Sequence, residues 1–122
     1  VPKRLRVDVT LSNAEFRCLR EFLGLPVQWV AQELRVNEHT VRDWETNDRP
    51  IPGYASDYLS DLGKNAKHAV EKLIMKWDSQ IALQVPKGSR QNYEEHFPPS
   101  YHRAVASRVR ENIGSRIRYQ ED

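Results

Sequence analysis

The feature that most constrains this chain is the punctuation of residues 12–53, which cuts an apolar pattern of helical spacing into three short pieces. Ser12-Asn13-Ala14-Glu15 has the spacing of a capping box, in which the serine oxygen accepts from the Glu15 amide while the carboxylate reaches back. Phe16, Leu19, Phe22 and Leu23 follow three and four residues apart, and Gly24 supplies a stop. Pro26 suits the first turn of a second helix, where its missing N–H costs nothing. Val27, Val30, Ala31 and Leu34 then form a buried stripe. Asn37 is an N-cap for a third helix with Val41 and Trp44 facing inward. The run Asn47-Asp48-Arg49-Pro50-Ile51-Pro52-Gly53 is turn chemistry and ends it.

Beyond Gly53 the apolar residues from Ala55 to Ile81 keep three-and-four spacings, predicting one long amphipathic helix or two joined near Gly63. Ala55, Leu59, Leu62, Ala66, Ala69 and Leu73 hold a heptad-like seam, which reads either as intramolecular core or as a dimer seam. Ile81–Pro86 reads as a short strand closed by Lys87-Gly88-Ser89. After Pro98-Pro99-Ser100, Tyr101, Val105, Val109 and Ile113 recur every four residues, predicting a helix that Gly114 ends. Arg116-Ile117-Arg118-Tyr119 alternates as a terminal strand. At the other end Leu5, Val7, Val9 and Leu11 alternate with Arg6, Asp8 and Thr10, giving an N-terminal arm or strand over residues 1–11.

With 122 residues the chain matches one ordinary domain, and 39% hydrophobic with 30% charged residues excludes a disordered or membrane-embedded chain. No apolar run approaches the ~18 residues of a membrane span, and the basic opening leads into no apolar segment of secretory type. Cys18 is the only cysteine, which excludes a disulfide scaffold and fits a cytoplasmic location. Net charge is +2, but unevenly spread: residues 1–20 carry +3 and residues 21–53 carry −3. A nucleic-acid partner therefore has to be argued from motif rather than from global charge.

The motif comes from four strings: Leu19-Arg20-Glu21-Phe22-Leu23-Gly24-Leu25, Val30-Ala31-Gln32-Glu33-Leu34-Arg35-Val36-Asn37, Thr40-Val41-Arg42-Asp43-Trp44-Glu45 and Arg49-Pro50-Ile51-Pro52. Together they resemble the Cro/cI-like (Xre-type) helix-turn-helix family over about residues 12–63. The resemblance implies a mainly α fold: a Cro/cI-like helix-turn-helix bundle with a C-terminal helical extension and one or two short β-strands. It also implies a transcriptional regulator, most simply a repressor, that binds an inverted repeat of double-stranded DNA as a homodimer. Glu38, His39 and Arg42 would read base edges, Arg42 pairing with guanine and Glu38 accepting from cytosine. Gln28, Asn37, Thr40 and Arg49 would hold the DNA backbone, with Lys3, Arg4 and Arg6 as a basic arm. Three features depart from the family pattern. Arg35 stands where the inter-helix turn usually has glycine, Pro26-Val27 replaces a Thr-Gln phosphate clamp, and Glu38, Asp43 and Glu45 make the third helix acidic. Glu45 has an alternative reading as a structural hydrogen bond or helix pairing.

Tyr101-His102-Arg103-Ala104-Val105-Ala106 resembles segments in the C-termini of small helix-turn-helix regulators of phage and actinobacterial type, which implies an appended dimerisation region over residues 64–122. Leu73, Ile74, Trp77, Tyr101 and Val105 are its expected interface residues. Trp29 is expected to pack on the N-terminal segment or the C-terminal region rather than on DNA. His96, His102, Glu94 and Glu95 fit no zinc spacing, and Cys18 has no adjacent basic pair. No glycine-rich phosphate loop exists, so neither catalysis nor a metal or cofactor is expected. The alternative function is a helix-turn-helix turned protein-interaction module, antitoxin-like or a phage adaptor, whose acidic third helix does not meet DNA.

Overall fold

In the computed structural model, residues 10–47, 49–89 and 96–121 are described. They form a mainly α structure of five helices and a two-stranded parallel sheet: α1 (Asn13–Phe22), α2 (Val27–Leu34), α3 (Glu38–Thr46), α4 (Gly53–Lys76), β1 (Leu83–Val85), α5 (Pro99–Ile113) and β2 (Ile117–Tyr119). The expected arm, with Lys3, Arg4 and Arg6, lies outside the described residues.

Each of the first three helices starts where its cap dictates. Ser12 Oγ accepts the Glu15 amide at 3.0 Å and the Ser12 amide donates to Glu15 Oε1 at 2.8 Å. Pro26 stands one residue outside α2, in the N-cap position, and Asn37 caps α3. Between α1 and α2 the chain turns through Gly24 at φ +67, and a Cβ there would lie 2.3 Å from the Ser100 carbonyl oxygen. Glycine is thus required twice at that position, by the left-handed backbone and by the approach of α5.

α4 runs unbroken through Gly63 and stops at Lys76, five residues short of the Ile81 that the apolar spacing includes. The stop is local: Trp77 is extended (φ −81, ψ 136), and Asp78 Oδ1 accepts the Gln80 amide at 2.9 Å in a side-chain turn. Ile81 is left 57% exposed. The strands are likewise shorter than the alternation suggests. They pair in parallel, Leu83 with Ile117, Gln84 with Arg118 and Val85 with Tyr119. Parallel neighbours need a crossover between them, and α5 supplies it.

Two apolar clusters hold these elements. The first draws Phe16, Leu23, Leu25, Val30, Val41 and Leu59 from α1–α4 and their connections, and takes in Tyr101 from α5. The second joins Val70 of α4 to Leu83, Val85, Ala106 and Val109, with Leu73, Ile74, Trp77, Ile113 and Ile117 packed around them. The heptad-like seam is therefore filled from within the chain: Ala55, Leu59, Leu62 and Ala66 face the first cluster and Leu73 the second. The residues expected at a dimer interface also take part in these clusters. Tyr101 is only 6% exposed, and Leu73, Ile74, Trp77 and Val105 spend their apolar faces inside the protomer. No helix among the described residues is long and apolar enough to cross a membrane.

Candidate nucleic-acid interface

The α2–α3 connection is three residues long, and its shape depends on Arg35. That residue closes α2 in the left-handed region (φ 57, ψ 43), and the Val36 amide then reaches back to the Ala31 carbonyl at 3.0 Å. Among the described residues it is the one non-glycine position with positive φ. The position where the sequence departs from glycine thus keeps the conformation that favours glycine, at a cost on the order of 1 kcal/mol. Asn37 Oδ1 accepts the His39 amide at 2.8 Å and starts α3.

Val41 and Trp44 turn α3 inward, Trp44 meeting the Phe16 ring edge-on at a centroid distance of 6.0 Å. The opposite face carries Glu38, His39 and Arg42, all exposed, so the expected base readers share one solvent-facing surface. Around them lie Gln28 on the first turn of α2, half-buried Thr40 and exposed Arg49. Exposed Asn37 spends its carboxamide oxygen on the cap, and the Nδ2 group is the donor it offers.

One of the three acids of α3 is turned inward. Glu45 is 4% exposed and takes two hydrogen bonds from Arg20, at 2.6 and 2.9 Å. Asp43 divides its oxygens between Asn47 Nδ2 at 2.8 Å and His39 Nε2 at 3.4 Å. Of the three acids in this helix, only Glu38 projects without a partner among the described residues. His39, with a side chain 81% exposed, is drawn along the helix toward Asp43 rather than straight out from it.

Of two supports of this face, sequence reasoning missed the first and left the second open between the two ends of the chain. Asn13 Nδ2 reaches the carbonyls of Trp44, Asn47 and Arg49 within 3.0 Å, tying the end of α3 and the following turn to the start of α1. The Trp44 carbonyl is one of those a helix C-terminus leaves unpaired, and the other two lie in the turn that follows. An asparagine inside a capping box carries no signal for that second duty. The other support is α5. Trp29 stacks on Phe97 at a centroid distance of 5.7 Å, and its Nε1 donates to the His96 carbonyl at 3.1 Å. The C-terminal region is thus where Trp29 packs. Phe97 stacks in turn on Tyr101 at 4.0 Å, and Ser100 Oγ donates to the Gly24 carbonyl. Glu33 of α2 gathers a further pair: Tyr58 Oη donates to its Oε1 at 2.6 Å, and His96 Nε2 lies 3.1 Å from the same oxygen. Burial and the Glu33 carboxylate together push the Tyr58 phenol well above its ordinary range.

Cys18 is exposed on α1, beside half-buried Leu19. No group of three His, Cys, Asp or Glu among the described residues is placed to hold a metal ion. No protein-family model matches the chain, and no curated protein matches it.

Proposed function

We propose that this protein is a Cro/cI-like helix-turn-helix transcriptional regulator, most simply a repressor. In this reading it binds an inverted repeat of double-stranded DNA as a homodimer. The observation that carries the proposal is the α2–turn–α3 unit: a tight left-handed turn at Arg35, with Glu38, His39 and Arg42 on the outer face of α3. The pairing of Glu45 with Arg20 supports it, because it offsets one of the three carboxylate charges of α3 that would oppose phosphate. Arg42 is exposed and without an acidic partner among the described residues, as a guanine reader needs to be. Gln28, Thr40 and Arg49 flank it as backbone contacts. One such helix reads few base pairs, so two copies about one helical turn apart supply the affinity and specificity.

The test is selection of bound sequences from a random duplex pool at moderate salt, with Arg42→Ala carried through in parallel. An enriched inverted repeat is expected from the parent protein, and loss of roughly 1–3 kcal/mol of discrimination from the variant. A parent protein that enriches nothing even at low salt overturns the proposal and directs attention to a protein partner for α3.

A further inference from the structure

The cations of this chain are concentrated away from α3. Residues 99–122 carry Arg103, Arg108, Arg110, Arg116 and Arg118 against Glu111, Glu121 and Asp122, whereas residues 21–53 have three arginines against six acids. The β pair sets two of those arginines side by side. Ser115 is buried, Arg116 exposed, Ile117 half-buried and Arg118 exposed, while Leu83 and Val85 are buried around exposed Gln84. That period of two turns Arg116, Arg118 and its register partner Gln84 onto the outer face.

Two open clefts adjoin on this face. Arg118 lines both, with Arg116, Ser79 and Gln80 in one and with Arg103, Ser107 and Tyr119 in the other; no carboxylate lines either among the described residues. Arg103 gives Nη1 to the carbonyls of Pro86 and Gly88 at 2.8 and 2.7 Å, which fixes its charge at the rim without neutralising it. Lys87 Nζ sits 5.8 Å from the Tyr119 ring centroid. The nearby Asp78 is turned to the Gln80 amide. By contrast, Arg108 lies over the Phe22 ring and does not belong to this face.

We propose that the outer face of the β pair, centred on Arg116 and Arg118 and flanked by Arg103 and Lys87, docks on the phosphate backbone of duplex DNA, separately from α3. The choice of polymer rests on the DNA-binding reading above; the site itself rests on charge and geometry. Guanidinium groups pair with phosphate oxygens through two parallel N–H bonds, and the Gln84 amide and Ser79 hydroxyl add neutral donors of the kind that contact DNA backbones. The α1–α3 part is net acidic, so this face supplies the counterion release that α3 does not. It follows the far end of α4, whose 24 residues span roughly 36 Å.

The experiment is the salt dependence of binding by the full chain to duplex DNA, using both a selected site and a random sequence. The parent protein is compared with Arg116→Ala/Arg118→Ala and with Lys64→Ala/Lys67→Ala, which makes the same charge change on an exposed part of α4. The arginine pair is expected to weaken binding to both duplexes alike and to lower the slope of log K against log salt by roughly two. The lysine pair is expected to leave that slope near the parent value.

An unchanged slope in the arginine variant overturns this inference while leaving an Arg42-dependent sequence preference intact. Equal losses in both variants overturn it in favour of net charge alone. A slope that falls in the arginine variant without any sequence preference sustains the docking face and defeats the reading of α3. If the arginine variant instead abolishes self-association in sedimentation and leaves DNA binding alone, the face belongs to the acidic side of a second copy. A parent protein that retains no duplex at low salt overturns both proposals.

Discussion

Arg20 and Glu45 face each other through two parallel hydrogen bonds, Nε to Oε2 at 2.6 Å and Nη2 to Oε1 at 2.9 Å, with side chains only 11% and 4% exposed. Arg20 Nη1 also donates to the Leu25 carbonyl at 3.0 Å. The pair joins α1 to α3 and the loop before α2, so it fixes the platform from which α3 projects. Removing one partner strands a buried charge. Glu45→Ala is expected to cost about 3 kcal/mol in urea unfolding, and the apolar pair Arg20→Met/Glu45→Leu to recover more than half of it. Equal losses in the single and double variants would show that the pair contributes by attraction rather than by mutual satisfaction.

Arg35 holds a backbone conformation that a side chain disfavours, and that side chain is exposed. Arg35→Gly is therefore expected to raise stability by about 0.5–1 kcal/mol, or about 3 °C in the thermal midpoint. Arg35→Val is expected to lower it, because β-branching makes the left-handed region costlier. Thermal melts of the three proteins measure both signs.

The Tyr58 phenol stays protonated to higher pH in the folded protein than in the unfolded chain, through burial and the Glu33 carboxylate. Burial moves Tyr101 in the same direction, opposed in part by Arg108. Above about pH 10 the folded state then binds more protons than the unfolded one, so stability falls as pH rises from there. Tyr58→Phe is expected to flatten that fall while costing about 1 kcal/mol at neutral pH through the lost hydrogen bond. Urea midpoints at about pH 8, 10 and 11 check it; an undiminished fall in the variant would place the titration elsewhere.

Gly24 tests the joint between α5 and the first helices. Gly24→Ala meets both a left-handed φ and the Ser100 carbonyl oxygen, so the chain has to shift away from α5. A loss of about 3 kcal/mol or more is expected, with faster amide exchange at the start of α5 and a changed Trp29 emission as Phe97 withdraws. Retained exchange protection at Tyr101 would show that α5 holds its place through the aromatic stack alone.

The helices of this fold were legible because their signals are local. Ser12, Asn37 and Gly114 act on amides or turns within a few residues of themselves, and the spacing of Val41 and Trp44 places Glu38, His39 and Arg42 outward. What was not legible is partnership at long range. Nothing in the spacing of Trp29 names Phe97, and nothing in Asn13 names the end of α3. The parallel pairing of 83–85 with 117–119 is set by the packing of α5 on α4, which two three-residue alternations do not encode. The heptad-like seam illustrates the same limit: its period fits an external partner and an internal one equally, and here α1 and α5 pack against α4 from inside.

The uninterrupted run of α4 through Gly63 bears on how this protein tolerates cutting and grafting. Its first half completes the cluster beneath α3 and its second half carries the β pair, while α5 returns to Trp29 and Gly24. Residues 12–63 are consequently no portable cassette. A graft taken at that border would leave Trp29 without its aromatic cover and α4 without its last 13 residues, Lys64–Lys76.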